Sequence, residues 1–304
     1  MLVDLIVLTL NEIDGLRKIM PCVKKEWVNR IIIVDGGSTD GTVEEAKKMG
    51  FEVIPQEGKG HGNAFLTGVR ASSADYVIMW APDGNFEPEE IPKLTEKIRD
   101  GFEQVVISRF AKNSINDDAG FWDTFGNKMF AFLTNVFFGG NCTDSLNGSR
   151  IISRKLMDEI KFDALQMNST EQMTIRCLKL GKKMCEIEGN ERKRIGGARK
   201  MKPISVGASI SWTIIKELVF YQSKKDDYLT SQASADEQAK YEDLMKKMEL
   251  LREEAKDEKE KLRKSANELE QKEVALNKYQ KMIKNIITAN INYINKNFCS
   301  FNVF

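Results

Sequence analysis

Residues 30–42 read Arg-Ile-Ile-Ile-Val-Asp-Gly-Gly-Ser-Thr-Asp-Gly-Thr. Four branched aliphatic residues, Ile31 to Val34, run straight into an aspartate and a glycine-rich turn. A short apolar run without alternation is the texture of a strand buried on both faces. Ser38, Thr39 and Asp40 are suited to cap a helix that follows. The same strand texture recurs at Leu2–Leu8, Glu52–Pro55, Tyr76–Trp80 and Gln104–Ser108, and helix-like segments at Glu12–Met20, Thr42–Met49, Gly62–Ala71 and Pro88–Asp100 alternate with it. That order predicts an α/β fold, a Rossmann-like, mostly parallel sheet with helices on both faces. Ligands of such sheets bind at the carboxyl ends of the strands. The chemistry is therefore expected in the loops after the first, second and fourth strands.

The wider composition narrows the field. Across 304 residues, Lys+Arg number 46 against Asp+Glu 45, and the net charge of +1 predicts no general attraction to nucleic acid. Five cysteines without a CxxC spacing, beside one histidine (His61), argue against a structural zinc site. No apolar run reaches the roughly 18–20 residues that span a bilayer. Leu2–Leu8 lacks a basic leader and reads as a first strand rather than a signal peptide, so a cytoplasmic location is expected. All 21 glycines and six prolines lie at or before Gly207. Two kinds of chain are joined end to end.

Four loops carry the informative residues: Thr9-Leu10-Asn11-Glu12, Asp35 to Thr42, Gly58-Lys59-Gly60-His61-Gly62, and Ala81-Pro82-Asp83-Gly84-Asn85. Each is weak alone. Gly58-Lys59-Gly60 lacks the spacing of a P-loop, although a glycine-rich helix entry beside a lysine suits phosphate. In this order and spacing the loops resemble the family 2 glycosyltransferases, and more narrowly the dolichyl- and polyprenyl-phosphate sugar transferases. The resemblance continues through Ser108-Arg109-Phe110, Phe125-Gly126-Asn127, Thr143-Asp144 and Asn147-Gly148-Ser149-Arg150, and ends in Arg194 to Met201.

The resemblance implies a GT-A fold, a nucleotide-diphosphate sugar donor and a divalent cation, Mg²⁺ or Mn²⁺. It assigns Thr9, Asn11, Glu12 and Asp35 to base and ribose, Lys59 to the nucleotide and its phosphates, and Asp83 with Asn85 to the metal. Asp83 is thereby a catalytic and nucleotide-binding residue. Two positions depart from the family pattern: Ala81 replaces the first acid of the DxD element, and Gly36 replaces the second acid of the usual VDDGS. A catalytically inactive copy serving as a scaffold is the alternative those departures raise.

The acceptor should face the second half of this domain. Glu191–Lys202 carries Arg192, Lys193, Arg194, Arg199, Lys200 and Lys202. With Arg109 and Arg150 from other loops, these form an expected anion pocket, Arg109, Arg150, Arg199 and Lys200 contacting donor or acceptor phosphate. A polyprenyl or other lipid phosphate would account for it, because its oxygen is already a nucleophile. A hydroxyl of a glycan or protein would instead need a carboxylate base, with Glu171 the first candidate and Asp144 the second. Ile204–Tyr221 is expected to pack as the domain's last helix, with peripheral membrane contact through Trp212 and Tyr221 as the alternative.

From Tyr241 the chain changes character. Tyr241, Met248, Ala255, Leu262, Leu269, Leu276 and Ile283 recur every seventh residue. A charged helix with such a seam is expected to be a coiled coil. The organisation expected is a hexosyltransferase domain at 1–222, a linker at 223–235, an oligomerisation helix at 236–288 that makes a homo-oligomer, and a tail at 289–304.

Overall fold

The computed structural model describes residues 1–161, 163–196, 203–219 and 246. Seven strands, β1 (Val3–Thr9), β2 (Arg30–Asp35), β3 (Glu52–Pro55), β4 (Tyr76–Trp80), β5 (Gln104–Ser108), β6 (Arg150–Ser153) and β7 (Met184–Glu188), form one sheet. Their order is β3-β2-β1-β4-β6-β5-β7. The five expected strands are present, and their ends shift by one residue at most. All neighbours run parallel except β6, which lies antiparallel to both β4 and β5.

Eight helices are described: α1 (Ile13–Ile19), α2 (Thr42–Lys48), α3 (His61–Ala71), α4 (Glu90–Arg99), α5 (Phe121–Phe138), α6 (Arg154–Ile160), α7 (Ser169–Lys179) and α8 (Pro203–Val219). Side chains alternate across a strand, so β1 feeds both layers. Leu5 and Val7 pack with Leu16, Ile91 and Leu94 of α1 and α4. Ile6 and Leu8 pack on the other face with Phe65, Leu156 and Met173 of α3, α6 and α7. Each such buried side chain contributes about 1.5–3 kcal/mol. The approach of α3 to β1 is close enough that a Cβ on Gly68 would lie 2.3 Å from Ile6 Cγ2.

A third layer builds outward from α7. Phe130 of α5 and Ile210 and Ile214 of α8 pack on Ile175, so α8 does join the domain's packing, as expected. The opposite face of the pair stays apolar: Phe121, Trp122, Phe125, Phe132, Val136, Trp212 and Ile215 are exposed, Trp122 by 79%. Among the described residues no helix is long and apolar enough to cross a membrane. The heptad segment, its linker and the tail lie outside the described residues, apart from Lys246.

Candidate active site

The carboxyl ends of β1 and β2 lie side by side, with Thr9 in register with Asp35. The Asp35 carboxylate folds the loop that follows. Its Oδ2 accepts from the N–H groups of Gly37 (2.9 Å) and Ser38 (2.8 Å), and its Oδ1 from Thr9 Oγ1 at 3.1 Å. Asn11, at φ 53°, ties the first loop to the second. Its N–H donates to Ser38 Oγ at 2.8 Å, and its Oδ1 accepts from the Thr39 N–H at 2.8 Å. The Glu12 N–H donates to Thr42 Oγ1 at 3.0 Å.

These loops rim a cleft of about 720 Å³ at the carboxyl ends of the strands. Thr9, Glu12, Lys59, Asp83, Asn85 and Arg109 line it, with His61, Glu191 and Arg194. Asn11 and Asp35 are not on its wall; what the structure shows of them is the bracing of the loops that are. His61 approaches Ser169 Oγ at 3.3 Å, and burial, reinforced by Arg150, pushes its pKa down to about 4. It is neutral at physiological pH.

The fourth-strand loop is crossed by a strap at 192–196. The Ile195 N–H donates to the Asp83 carbonyl and the Arg192 N–H to the Asn85 carbonyl, both at 2.7 Å. Asn85 Nδ2 donates to the Arg192 carbonyl at 2.7 Å. Gly84 permits this contact: its φ is +81°, and a Cβ there would lie 2.4 Å from Ile195 Cδ1. The strap delivers Arg194 between two carboxylates, Nη1 to Asp83 Oδ2 and Nη2 to Glu12 Oε1, each at 2.8 Å. Burial raises the Asp83 carboxyl above its ordinary value, although Arg194 pulls the other way. In the sequence Arg194 stands out as one charge of a basic run and the first residue of the last family motif, with nothing to tie it to Glu12 or Asp83.

The fit of a divalent cation can be judged from these donors. Among the described residues no group of three or more His, Cys, Asp or Glu side chains is placed to hold a metal ion. Asp83 nevertheless offers a hard carboxylate oxygen at the cleft wall, and the Asn85 amide, with its nitrogen committed to Arg192, has an oxygen to offer. One or two protein oxygens completed by phosphate oxygens and water is how Mg²⁺ is commonly bound. The residues fit such an ion.

Arg109 is on the cleft wall but heavily engaged. Its Nε and Nη2 donate to Asp144 Oδ2 (2.6 Å) and Oδ1 (2.8 Å), and Nη2 also to Asn127 Oδ1 at 2.9 Å. Burial lowers its pKa, but the Asp144 carboxylate beside it more than reverses that, so it is raised.

Arg150 and Glu171 are not among the residues that line the cleft. Arg150 begins β6 between Met79 and Val106, and its side chain is fully buried. It donates to the Thr170 carbonyl (3.0 Å), the Ser145 carbonyl (3.1 Å) and Thr174 Oγ1 (3.1 Å), and burial lowers its pKa to about 10. Glu171, in the first turn of α7, is fully buried, accepts from Thr134 Oγ1, and is pushed up to about 7 by burial. β6 and α7 pack inside the domain, so Arg150 is spent mostly on backbone carbonyls and Glu171 on the Thr134 hydroxyl. Arg199 and Lys200 lie outside the described residues.

A mostly parallel sheet with one reversed strand, β6, and a loop carrying Asp83 after β4 is a GT-A-like architecture. Solved structures share this fold. Glucosyl-3-phosphoglycerate synthase from Mycobacterium tuberculosis, crystallised with Mn²⁺, UDP and phosphoglyceric acid, has a TM-score of 0.59 at 20% identity, covering 73% of this chain and 80% of that one. The same enzyme crystallised with Mg²⁺ and UDP has a TM-score of 0.57 at 20% identity, covering 73% and 81%. The chain belongs to glycosyl transferase family 2, whose profile matches residues 4–161. It is 30% identical over 210 residues to the dolichyl-phosphate hexose transferase of Haloferax volcanii, covering 68% of this chain and 90% of that protein. It is 27% identical over 224 residues to the undecaprenyl-phosphate mannosyltransferase of Micrococcus luteus, covering 67% and 89%.

Proposed function

We propose that this protein transfers a hexose from a UDP- or GDP-sugar to a polyprenyl or related lipid phosphate, with inversion and with Mg²⁺ or Mn²⁺. The observation that carries the reading is the Asp83 carboxylate, at the end of β4 on the wall of a cleft that Thr9, Glu12 and Lys59 also line. Relatives named for transfer to dolichyl and undecaprenyl phosphate support the acceptor class. So does the exposed apolar face of α5 and α8, because Trp122 on that face also lines the cleft. A lipid tail leaving the cleft would cross that face, which is also the surface for peripheral membrane contact.

In this mechanism an acceptor phosphate oxygen attacks the anomeric carbon. The new C–O bond forms as the bond from that carbon to the nucleoside diphosphate breaks, and the diphosphate leaves with the electron pair. The cation, when bound, neutralises charge developing on that leaving group. Thr9 and Glu12 form the nucleotide end of the wall, Lys59 would meet phosphate, and Asp83 and Asn85 would hold the ion. Arg109 is held by Asp144 and orients the acceptor side of the cleft. No general base is required, because the acceptor phosphate oxygen is already a nucleophile.

The test is incubation of the full chain with labelled UDP- and GDP-sugars, Mn²⁺ and a polyprenyl phosphate. Label entering the lipid phase, abolished by EDTA, is the expected result; a folded protein that binds neither UDP nor GDP would overturn the reading in favour of an inactive scaffold. Self-association through residues 236–288 belongs to the same proposal, and sedimentation of the full chain tests it.

A further inference from the structure

We infer that Arg194 competes with the divalent cation for Asp83, so that the strap at 192–196 sets the affinity of the site for metal. The inference rests on the reading of Asp83 as the ligand of that ion. β1 and β4 are neighbours in the sheet, and each ends in a loop that carries a carboxylate, Glu12 and Asp83. Both are largely buried. Two like charges held close together away from water need a cation between them. The chain supplies its own, with one guanidinium nitrogen on each carboxylate at 2.8 Å.

Both oxygens of Asp83 already have protein partners: Oδ1 accepts from the Asn85 N–H at 3.1 Å and Oδ2 from Arg194. An ion coordinated by Asp83 would stand beside the guanidinium, and two cations at that spacing repel. Arg194 must therefore release Asp83 when the ion binds. The backbone permits this. The strap is pinned to residues 83 and 85 by main-chain hydrogen bonds, so rotation of the long arginine side chain is enough, with the strap in place. A charge-assisted arginine–carboxylate pair is among the stronger polar contacts, and its release is subtracted from the affinity for metal. Ala81 makes the competition matter, because the loop has no second acid to hold the ion while Arg194 still occupies Asp83.

Mn²⁺ binding to the full chain without nucleotide, read by electron paramagnetic resonance of the free ion, tests this. Arg194→Ala is expected to bind Mn²⁺ at least about tenfold more tightly than the wild type, with Arg194→Gln behaving alike and serving if the alanine variant does not fold. Asp83→Asn is expected to abolish binding in either background. Equal or weaker binding by the Arg194 variants, with binding still lost in Asp83→Asn, overturns the competition and leaves the metal assignment standing. Binding unaffected by Asp83→Asn overturns both, as does the absence of Mn²⁺ binding in wild type and Arg194 variants alike.

Discussion

Arg109 and Asp144 face each other fork to fork, Nε to Oδ2 at 2.6 Å and Nη2 to Oδ1 at 2.8 Å, with the Arg109 N–H closing a third bond to Oδ2 at 3.1 Å. The pair joins the end of β5 to the loop before β6, and Asp144 is fully buried in it. Removing Arg109 leaves the Asp144 carboxylate buried without this partner, and removing Asp144 leaves Arg109, of its carboxylate partners, only the longer contact to Glu191 at 3.4 Å. Arg109→Ala and Asp144→Ala are each expected to cost about 3–5 kcal/mol, read from the urea midpoint. A change below about 1 kcal/mol, the range of exposed pairs, would show the pair to be a surface contact.

Gly84→Ala should act at the strap. The substitution meets both a positive φ and the Ile195 side chain. A non-glycine residue held in that backbone region costs on the order of 1–3 kcal/mol. The double variant Gly84→Ala, Ile195→Ala should recover the part due to the clash and keep the part due to φ. Full recovery would assign the whole cost to the side-chain contact.

Asp83→Ala should leave the fold intact and abolish transfer. Its side chain is tied to a partly exposed arginine rather than to the core, so the thermal midpoint should move by only a few degrees. The loss in turnover expected for removal of charge stabilisation at the leaving group is about 100-fold or more. Unchanged turnover would remove Asp83 from the metal assignment.

Glu171 makes a prediction about pH. Its carboxyl is raised from 4.5 to about 7 by burial, so the folded state binds its proton more tightly than the unfolded chain. The stabilisation is full below about pH 4.5, declines as the pH rises, and is gone above about 7. Glu171→Gln keeps a neutral acceptor for Thr134. Its stability relative to wild type should therefore climb between those limits, by about 3 kcal/mol at most. Glu90, also pushed up to about 7 by burial, leaves a residual slope in the variant. A pH-independent difference would mean that Glu171 is not protonated in the fold. Transfer activity should survive the substitution, since Glu171 is off the cleft wall; its loss would restore the hydroxyl-acceptor reading.

The apolar face of α5 predicts lipid binding. Phe121, Trp122 and Phe125 are exposed by 76%, 79% and 55%. Replacing all three with serine should remove co-sedimentation with phospholipid vesicles and leave stability nearly unchanged. Retained sedimentation would place any membrane contact elsewhere.

Much of the fold was legible before any coordinates. Strands β1 to β5 were read within one residue because a strand buried on both faces must be apolar throughout, and the glycine- and aspartate-rich loops between them allow little else. The loops after β1, β2 and β4 were located for the same reason. Strands β6 and β7 were not found. β6 is four residues long, opens with an arginine, and is made a strand by β4 and β5, its distant neighbours, and β7 is held in the sheet by β5. Asn11 and Asp35 show the complementary limit, since a short polar side chain in a turn can hold a ligand or hold the turn.

Local chemistry in the chain set the parallel sheet, the cleft-bearing loops and the family, since periodicity, turn residues and motif order are properties of neighbouring residues. Placement across the chain was settled by folding. Arg194 meets Glu12 over 182 residues and Asp83 over 111, while Glu171 and Arg150, equally plausible as ligands on paper, are drawn inward because α7 and β6 pack inside the domain. Charge and hydrogen-bonding capacity belong to the residue; which partner satisfies them depends on what the fold brings within about 3 Å.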